Sequence, residues 1–281
     1  NEFKFMNVQV AILLATYNGE KFIEKQLDSL LGQSFQQFKI YIHDDGSNDK
    51  TLEIIRSYES QFPGKFVIFE EESKHLGAAF SFMWLLNRVE APYYMFCDQD
   101  DIWFPQKIEL TLKKMKEIEY HYPMLPIVIH TDLQVVDDKL NIIYRSMWDS
   151  MKLIPELLQK FNYLAVCNCC TGCTMLINHK LKSYVFPIPS NIPMHDFWIA
   201  LMGAKYGIVE NLSQTTILYR QHECNTRGVQ HITKYYYLNK IVHLFNTVRQ
   251  QIKIAKFCSS IGYGTWLKFY WYKMLYFFKR L

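Results

Sequence analysis

The order of apolar and polar positions divides the first 125 residues into repeated pairs of one strand and one helix. Short apolar runs that predict strands stand at residues 8–14, 38–42, 66–69 and 93–97. Apolar residues at helical spacing follow the first three runs, around residues 22–31, 52–62 and 78–89. This alternation predicts an α/β fold of the Rossmann-like type, with a mixed, mainly parallel sheet flanked by helices.

Strands in this half of the chain end in polar turns. Three of these turns occupy residues 15–19, 43–47 and 98–101. In α/β proteins the carboxyl ends of parallel strands meet at one edge of the sheet, and ligands bind there. We therefore expect the three turns to converge on one crevice, although they are far apart in the sequence.

The pattern becomes less regular after residue 125. Short strands are predicted at residues 126–130, 174–177, 207–209 and 216–219, and a helix is predicted at 197–205. Beyond residue 226 the chain is predicted to be helical, basic and aromatic. These changes predict a core domain over residues 1–228, with halves at about 7–125 and 126–228, and a helical extension over residues 229–281.

Composition and charge describe a folded chain with a basic end. The 281 residues are 49% hydrophobic and 21% charged, which is typical of a globular protein. The last acidic residue is Glu223, and ten Lys and Arg residues follow it. Residues 224–281 thus carry +10, and the total of +4 leaves −6 for residues 1–223. No run of about 18 uncharged apolar residues occurs, so we expect no membrane-spanning helix.

The chain has seven cysteines, an odd number, and no secretory signal precedes them, so we expect a reduced, cytoplasmic setting. Four of them form the cluster Cys167, Cys169, Cys170 and Cys173. A zinc site is one interpretation of this cluster. No second Cys/His pair lies at the spacing of a structural zinc finger, however, and the flanks are apolar. Buried thiols are therefore the favoured interpretation.

A cluster of carboxylates follows directly on the fourth predicted strand. Asp98, Asp100 and Asp101 lie within one turn, and the first two can face the same way because they are two residues apart. Neighbouring carboxylates repel each other and resist burial unless a cation joins them. Oxygen ligands suit a hard divalent cation shared with substrate phosphates. We predict a Mg²⁺ or Mn²⁺ site here, with Asp101 as a cap of the helix that starts near Pro105.

The turn His43-Asp44-Asp45-Gly46-Ser47-Asn48-Asp49 joins the second strand to the next helix. A carboxylate at this place can accept a hydrogen bond from a nucleobase imide, and Gly46 permits a tight turn. An ordinary capping turn, with Asp49 as the helix N-cap, explains the same residues. The second acidic turn after a later parallel strand favours the functional interpretation.

With these turns in this order, the sequence resembles the family 2 glycosyltransferases of the GT-A fold from residue 7 to about residue 228. The motifs that carry the resemblance are Ala15-Thr16-Tyr17-Asn18-Gly19, Asp44-Asp45-Gly46-Ser47 and Asp98-Gln99-Asp100-Asp101. The resemblance implies a sugar nucleotide as donor and Mn²⁺ or Mg²⁺ as cofactor. The donor-binding residues that it implies are Thr16, Tyr17, Asn18, Asp45, Gly77 and Asp98. The metal ligands that it implies are Asp98, Asp100 and His222.

Motifs further along the chain complete the implied site. Met194-His195-Asp196 stands where the family carries an acidic pair, so the resemblance assigns Asp196 as the catalytic base and replaces the usual glutamate by His195. From the local sequence alone, an N-cap role for Asp196 is the better interpretation. Tyr219-Arg220-Gln221-His222 supplies the histidine of the metal site. The residues assigned to the acceptor are Trp103, Asp132 and Trp198.

The full set of motifs, including His130-Thr131-Asp132-Leu133, is similar to bacterial rhamnosyltransferases of cell-wall and capsular polysaccharide synthesis. This similarity implies inverting transfer of L-rhamnose from dTDP-rhamnose to a lipid-linked or polysaccharide acceptor. Galactosyl- and glucosyltransferases that use UDP-sugars share much of the pattern. A nucleotidyl or phosphoryl transferase would need a glycine-rich phosphate loop or a positioned lysine, which we do not find at the strand ends. A non-catalytic sugar-binding scaffold would not need Asp196.

Aromatic and basic residues alternate closely at the end of the chain, in the segment 266–280. This mixture suits the surface of an anionic membrane, and it predicts a peripheral enzyme at the inner face of the bacterial plasma membrane. Packing of the aromatic residues on the core, or on a second subunit of a homo-oligomer, is an open alternative. Nucleic-acid binding is not expected, because no recognition module accompanies the charge.

Overall fold

The residues that the computed structural model describes, 8–69, 75–222 and 244–280, form a sheet with helices on both faces. The strands are β1 (Val10–Thr16), β2 (Phe38–Asp44), β3 (Phe66–Phe69), β4 (Tyr93–Cys97), β5 (Ile102–Trp103), β6 (Ile127–Val136), β7 (Ile142–Tyr144), β8 (Leu176–Asn178) and β9 (Ile208–Arg220). The helices are α1 (Ile23–Leu31), α2 (Thr51–Gln61), α3 (Ala78–Arg88), α4 (Lys107–His121), α5 (Met147–Ser150), α6 (Pro155–Leu158), α7 (Phe161–Leu164), α8 (His179–Val185), α9 (His195–Tyr206), α10 (Leu244–Ser260) and α11 (Trp266–Lys279).

The strands form a single sheet in the order β3-β2-β1-β4-β8-β6-β9-β5, with β7 paired to β6 outside this path. The first four strands of this order run parallel, and so do β6 and β9. Strand β8 runs antiparallel to both of its neighbours. The sheet is therefore mixed and mainly parallel, which confirms the predicted fold class.

Strand lengths differ from the prediction where pairing overrides the local pattern. β1 and β2 continue two residues past the predicted ends, because their parallel pairing extends to Thr16 and Asp44. Strand structure is confirmed at both predicted positions, 207–209 and 216–219, but the break between them is wrong, since one strand, β9, runs from Ile208 to Arg220. Its polar middle stays extended because β9 pairs with β6 over most of its length, with register shifts beside Asp132.

The sheet separates two hydrophobic clusters. On one face α1, α2 and α4 bury their apolar stripes against the strands, as Leu27 of α1 does with no exposed surface. On the other face α3 and α9 pack beside α7 and the two C-terminal helices. A Leu27→Ala change in such a core typically costs about 2–5 kcal/mol of unfolding free energy. This rigid double-sided core positions the turns at the carboxyl edge.

Helices α10 and α11 form a hairpin that packs on the second half of the core domain. Phe257 of α10 and Phe269 and Tyr276 of α11 are buried there. The Tyr276 hydroxyl accepts a hydrogen bond from the Ile154 N–H (3.2 Å). The predicted domain boundary at residue 228 lies outside the described residues. Among the residues that the structure describes, no helix is both long and apolar enough to cross a membrane.

Candidate active site

The polar turns that follow β1, β2 and β4 lie together at the carboxyl edge of the parallel strands. The Asn18 N–H donates to Ser47 Oγ, and the Asn18 side-chain oxygen accepts from the Asn48 N–H. Both donor–acceptor distances are 2.8 Å. The Gln99 side chain accepts a hydrogen bond from the Tyr17 N–H and donates one to the Tyr17 carbonyl oxygen. Both distances are 2.9 Å. The predicted convergence of the three turns is confirmed.

Asp44 stabilises the turn after β2. Its carboxylate accepts hydrogen bonds from the Thr16 hydroxyl (2.8 Å) and from the Ser47 hydroxyl (2.6 Å) and N–H (2.7 Å). Asp49 lies one residue before the N-cap position of α2, which Lys50 occupies. The Asp49 carboxylate still accepts from the Thr51 N–H (3.0 Å), so the predicted capping bond forms from a neighbouring position.

Asp45 connects the turn after β2 to the segment that precedes α3. The Asp45 carboxylate is buried and accepts from the N–H groups of Leu76 (2.6 Å) and Gly77 (2.8 Å). Gly77 has a φ of +76°, which a residue with a side chain rarely adopts. His75 lies 3.0 Å from the Asp45 carboxylate and 4.7 Å, ring to ring, from the exposed Tyr17. His75 is a candidate base-contact residue that the sequence did not reveal.

Gln99 is a second residue that sequence reasoning did not assign. It lies between the predicted metal ligands Asp98 and Asp100, and its amide closes over the turn after β1. A Cβ atom on Gly19 would lie 2.3 Å from Gln99 Oε1, so this close approach requires glycine. The separation of Gln99 from this turn along the sequence concealed the pairing.

The carboxylate of Asp100 lies beside the imidazole of His222. Asp100 Oδ2 and His222 Nε2 are 2.8 Å apart, and both side chains are largely buried. The ring of Phe22 packs against His222 at 4.7 Å between centroids. Two ligands at right angles on one divalent ion lie about 3 Å apart, since each bond is about 2.1 Å long. The pair is therefore compatible with joint coordination of a divalent metal.

Asp98 faces a different pair of side chains. Its carboxylate, that of Asp101 and the Cys173 thiol have ligand atoms within 4.8 Å of one another. The prediction that Asp101 caps the next helix is wrong, because α4 begins at Lys107 with Gln106 at its N-cap. Asp101 instead accepts a hydrogen bond from the backbone N–H of Arg220, the last residue of β9. The Asp101 side chain thus joins the acidic turn to β9.

The carboxylates of the acidic turn, residues 98–101, repel one another in a buried setting. Burial, with the charges of Asp100 and Asp196, raises the pKa of Asp98 to about 7. Burial and the neighbouring carboxylates of Asp100 and Asp98 also raise the pKa of Asp101 well above its ordinary value. The buried Lys107 lies nearby, and burial lowers its pKa to about 8. A divalent cation would relieve the repulsion among these carboxylates.

The raised pKa of Asp98 predicts a pH-dependent stability difference. An unfolded chain ionises Asp98 near pH 3.8, whereas the folded chain does so near pH 7, so ionisation destabilises the fold increasingly across this window. Without divalent ions, we expect Asp98→Asn to have a higher Tm than the natural sequence at pH 8 and an equal Tm near pH 4. Thermal unfolding in EDTA across this range measures the difference. A gap that does not change with pH would contradict the assignment.

Arg220, the last residue of β9, is a buried positioning residue that the sequence left without a role. Its Nε donates to the carbonyl oxygen of Asp100 (2.9 Å), and its Nη1 donates to that of Asp138 (2.8 Å). The Arg220 N–H donates to Asp101 (3.2 Å). Lys21 pairs with the Asp138 carboxylate (2.6 Å), so the loop after β6 is also held to the start of α1. Arg220 thus fixes the backbone of the acidic turn.

Asp196 lies in the first turn of α9, on the side of the acidic turn. The N-cap of α9 is Met194, so the N-cap interpretation of Asp196 is wrong. The charge of Asp196 contributes to the raised pKa of Asp98, so the two carboxylates interact electrostatically. His195 is buried against the rings of Phe82 (4.3 Å) and Phe96 (5.4 Å). His195 therefore anchors the start of α9 in the core.

The three residues predicted to contact the acceptor are buried, and this prediction is corrected. Trp103 belongs to β5 and packs in the core. The Trp198 indole N–H donates to the Val185 carbonyl oxygen (3.0 Å), which fixes α9 to the end of α8. Asp132 accepts from the Trp148 N–H (3.2 Å) and from a serine hydroxyl, so it fixes the start of α5. Their polar and aromatic character serves packing, which the sequence pattern could not distinguish from ligand contact.

The cysteine cluster is mainly buried, as predicted. Cys169, Cys170 and Cys173 have almost no exposed surface, and burial raises the pKa of the Cys169 and Cys173 thiols well above the ordinary value. The structure places a histidine of strand β6 beside the cluster, since His130 Nε2 lies 3.9 Å from Cys169 Sγ. The ligand atoms of His130, Cys169 and Cys170 lie within 4.8 Å of one another. Spacing along the chain could not reveal this grouping.

Comparison with known families identifies the chain. The sequence model described as Glycosyl transferase family 2 matches residues 11–184, which include nearly all of β1, the three polar turns and β8. This match covers more than half of the chain. The protein belongs to glycosyl transferase family 2. The predicted family is confirmed, and the acidic turn and Asp100 lie inside the matched region.

One relative of the chain is named dTDP-rhamnosyl transferase RfbG and comes from Shigella flexneri. It is 27% identical over 230 residues, which cover 76% of this chain and 73% of RfbG. A second relative is the putative teichuronic acid biosynthesis glycosyltransferase TuaG from Bacillus subtilis. It is 34% identical over 108 residues, which cover 38% of this chain and 42% of TuaG. Both relatives are named as enzymes that transfer sugars.

Solved structures of glycosyltransferases share the fold. S. aureus TarS 1–349 in complex with UDP-GlcNAc has a TM-score of 0.58 at 18% identity, covering 89% of this chain and 71% of that chain. The mannosyltransferase PcManGT from Pyrobaculum calidifontis, in complex with GDP-Man and Mn²⁺, has a TM-score of 0.58 at 15% identity, covering 79% and 58%. The chain spans 60% of TarS 1–349 in its unliganded structure. The GT-A fold predicted for this family 2 protein is confirmed.

Proposed function

We propose that this family 2 protein is an inverting, divalent-metal-dependent hexosyltransferase. The observation that carries the proposal is the pairing of Asp100 with His222 at the carboxyl edge of the sheet, next to Asp98, on which the charge of Asp196 also acts. A cation-binding group and a separate carboxylate are what a single displacement at an anomeric carbon requires. Because the acceptor oxygen would attack the anomeric carbon opposite the leaving nucleoside diphosphate, a single displacement inverts the anomeric configuration.

Asp98, Asp100 and His222 would hold Mn²⁺ or Mg²⁺. The 2.8 Å separation of Asp100 Oδ2 from His222 Nε2 and the excess of negative charge at the turn favour a divalent ion. Such an ion supplies Lewis-acid neutralisation of the nucleoside diphosphate that leaves. Arg220 binds the backbone of Asp100, and Gln99 binds the backbone of Tyr17. These bonds keep the proposed metal ligands aligned with the turn after β1, which would contact the nucleobase.

Asp196 would act on the acceptor. Its carboxylate lies at the start of α9, in the first turn, and is partly exposed. In the proposed reaction it accepts the proton of the acceptor hydroxyl while that oxygen attacks the anomeric carbon. The buried His195 and the packing of Trp198 keep the first turn of α9 in place. A β-linked rhamnosyl donor would yield an α-linked product.

The donor we propose is dTDP-rhamnose. The support is the 27% identity with a dTDP-rhamnosyl transferase over three quarters of the chain. Tyr17, His75 and the turn that Asp45 organises would surround the nucleobase, with Thr16, Asn18 and Gly77 shaping that turn. A UDP-sugar donor, galactosyl or glucosyl, is the alternative, because TarS was solved with UDP-GlcNAc on the same fold.

The acceptor we propose is a lipid-linked saccharide or a growing surface polysaccharide. The support is the similarity to a protein named for teichuronic acid biosynthesis. Such an acceptor implies that the enzyme works at the inner face of the bacterial plasma membrane. A homo-oligomer is compatible with this placement. Nucleotidyl or phosphoryl transfer would release pyrophosphate or transfer phosphate, and a sugar-binding scaffold would turn over no donor.

A nucleotide-sugar screen tests the proposal. Purified protein is mixed with Mn²⁺ or Mg²⁺ and with dTDP-rhamnose, UDP-galactose or UDP-glucose, and thermal unfolding is followed. We expect the largest Tm increase with dTDP-rhamnose, and only when the divalent ion is present, because ligands that bind the folded state stabilise it. Donor turnover should then release dTDP. Preference for a UDP-sugar would overturn the rhamnosyl assignment, and release of pyrophosphate would overturn glycosyl transfer itself.

A further inference from the structure

The hairpin of α10 and α11 has two unlike faces. One face packs on the core domain through residues such as Phe269 and Tyr276, each no more than 3% exposed. The opposite face of α11 presents large apolar side chains that are between 43% and 62% exposed. These exposed residues are Trp266, Leu267, Trp271, Met274, Phe277 and Phe278. The aromatic residues of the hairpin therefore pack on the core domain through one face only, and the others are exposed.

The exposed apolar residues form a stripe along α11. Leu267, Trp271, Met274 and Phe278 are spaced by four, three and four positions, so they lie on one face of the helix. Trp266 and Phe277 border this stripe. Single exposed apolar residues are ordinary on a protein surface, but a contiguous apolar patch marks a contact with a protein or a membrane.

The charge of the hairpin selects the partner. On α10, Arg249, Lys253 and Lys256 are exposed at spacings of four and three positions, which places them on one face. Lys279 is exposed at the end of α11. From residue 224 to the end, the sequence has no acidic residue. An isologous dimer through this face would bring the same basic residues together, whereas an anionic surface would complement them.

We propose that the exposed face of α11, with the basic stripe of α10, binds the surface of an anionic phospholipid bilayer. Helix α11 would lie in the plane of the interface, with its aromatic rings among the lipid headgroups. Surface binding fits a hairpin whose described helices are too short or too polar to cross the bilayer. The proposal goes beyond the sugar-transfer chemistry and does not depend on the identity of the donor.

Vesicle flotation with the full chain tests the proposal. Vesicles of phosphatidylcholine alone are compared with vesicles that also contain phosphatidylglycerol. We expect at least tenfold more protein to float with the anionic vesicles, and Trp271→Gln combined with Phe278→Gln to reduce this fraction at least tenfold. Arg249→Gln, Lys253→Gln and Lys256→Gln together should lower binding to anionic vesicles and remove most of its sensitivity to salt.

A matched control comes from exposed aromatic residues outside the hairpin. Tyr120 and Tyr122, at the end of α4, are 84% and 53% exposed, and their replacement by Gln should leave flotation unchanged. All variants should keep the metal-dependent Tm increase with the donor, which separates membrane binding from the proposed catalysis. Equal flotation of the Trp271/Phe278 variant and the natural sequence would overturn the proposal. Loss of self-association in that variant without any vesicle binding would instead identify a subunit interface.

Discussion

Asp196→Asn is expected to lower kcat for sugar transfer by about 10³-fold or more, while donor binding stays nearly intact. Asparagine keeps the shape and the hydrogen-bonding oxygen of the side chain but cannot accept the proton of the acceptor hydroxyl. General-base catalysis typically contributes about 10²- to 10⁴-fold to the rate, so its loss accounts for an effect of this size. Steady-state turnover, measured as released nucleoside diphosphate, gives kcat directly.

Donor affinity in the same variant distinguishes a base from a binding residue. The charge of Asp196 helps to raise the pKa of Asp98, so its removal should let Asp98 ionise at lower pH and should not weaken metal-dependent donor binding. Isothermal titration with the nucleotide and Mn²⁺ measures this affinity. Glu53→Gln, which neutralises an exposed carboxylate on α2, is the matched control and should keep normal kcat. Near-normal turnover of Asp196→Asn would exclude it as the base.

Asp100→Asn is expected to reduce turnover by about 100-fold at a fixed, low Mn²⁺ concentration. The change removes one charged oxygen ligand and replaces the carboxylate that lies 2.8 Å from His222 by a neutral amide. Metal sites lose affinity when a ligand loses its charge, so part of the activity should return as the Mn²⁺ concentration is raised. A titration of initial rate against Mn²⁺ measures both effects.

Asp101→Asn is the matched control for this change, because it lies in the same turn and removes the same charge. The Asp101 side chain accepts the Arg220 N–H, which an asparagine oxygen can also accept, and burial already raises its pKa. We expect its Mn²⁺ requirement to stay within about threefold of that of the natural sequence. If both variants lost the same activity, the division of roles within the turn would be wrong.

The first half of the fold could be predicted because its local pattern agrees with its tertiary structure. Most strands of this half are apolar runs, and β1, β2 and β4 end at polar turns, so β–α order and sheet edge follow from pattern alone. In the second half pairing decides the structure. The polar middle of β9 gives no strand signal, and only its parallel partner β6 keeps it extended.

The candidate site divides in the same way. Tyr17, Asp45 and Asp100 stand at strand ends that the sequence locates, so their convergence was predictable. Gln99 and Arg220 act through hydrogen bonds to backbone groups far away in the sequence, and no pattern marks such bonds. Trp103 and Trp198 failed as acceptor residues because burial depends on how distant elements pack, as α8 does against α9.

The Gln99 amide gives the site a property that neither turn has alone. It bonds to both backbone groups of Tyr17, and Gln99 itself stands between Asp98 and Asp100. A change in the position of one turn must therefore be transmitted to the other. Coupling between two binding sites is reciprocal, so the factor by which metal strengthens nucleotide binding equals the factor by which nucleotide strengthens metal binding. In the proposed site one neutral side chain would thus link the two equilibria, and metal and nucleotide would bind cooperatively.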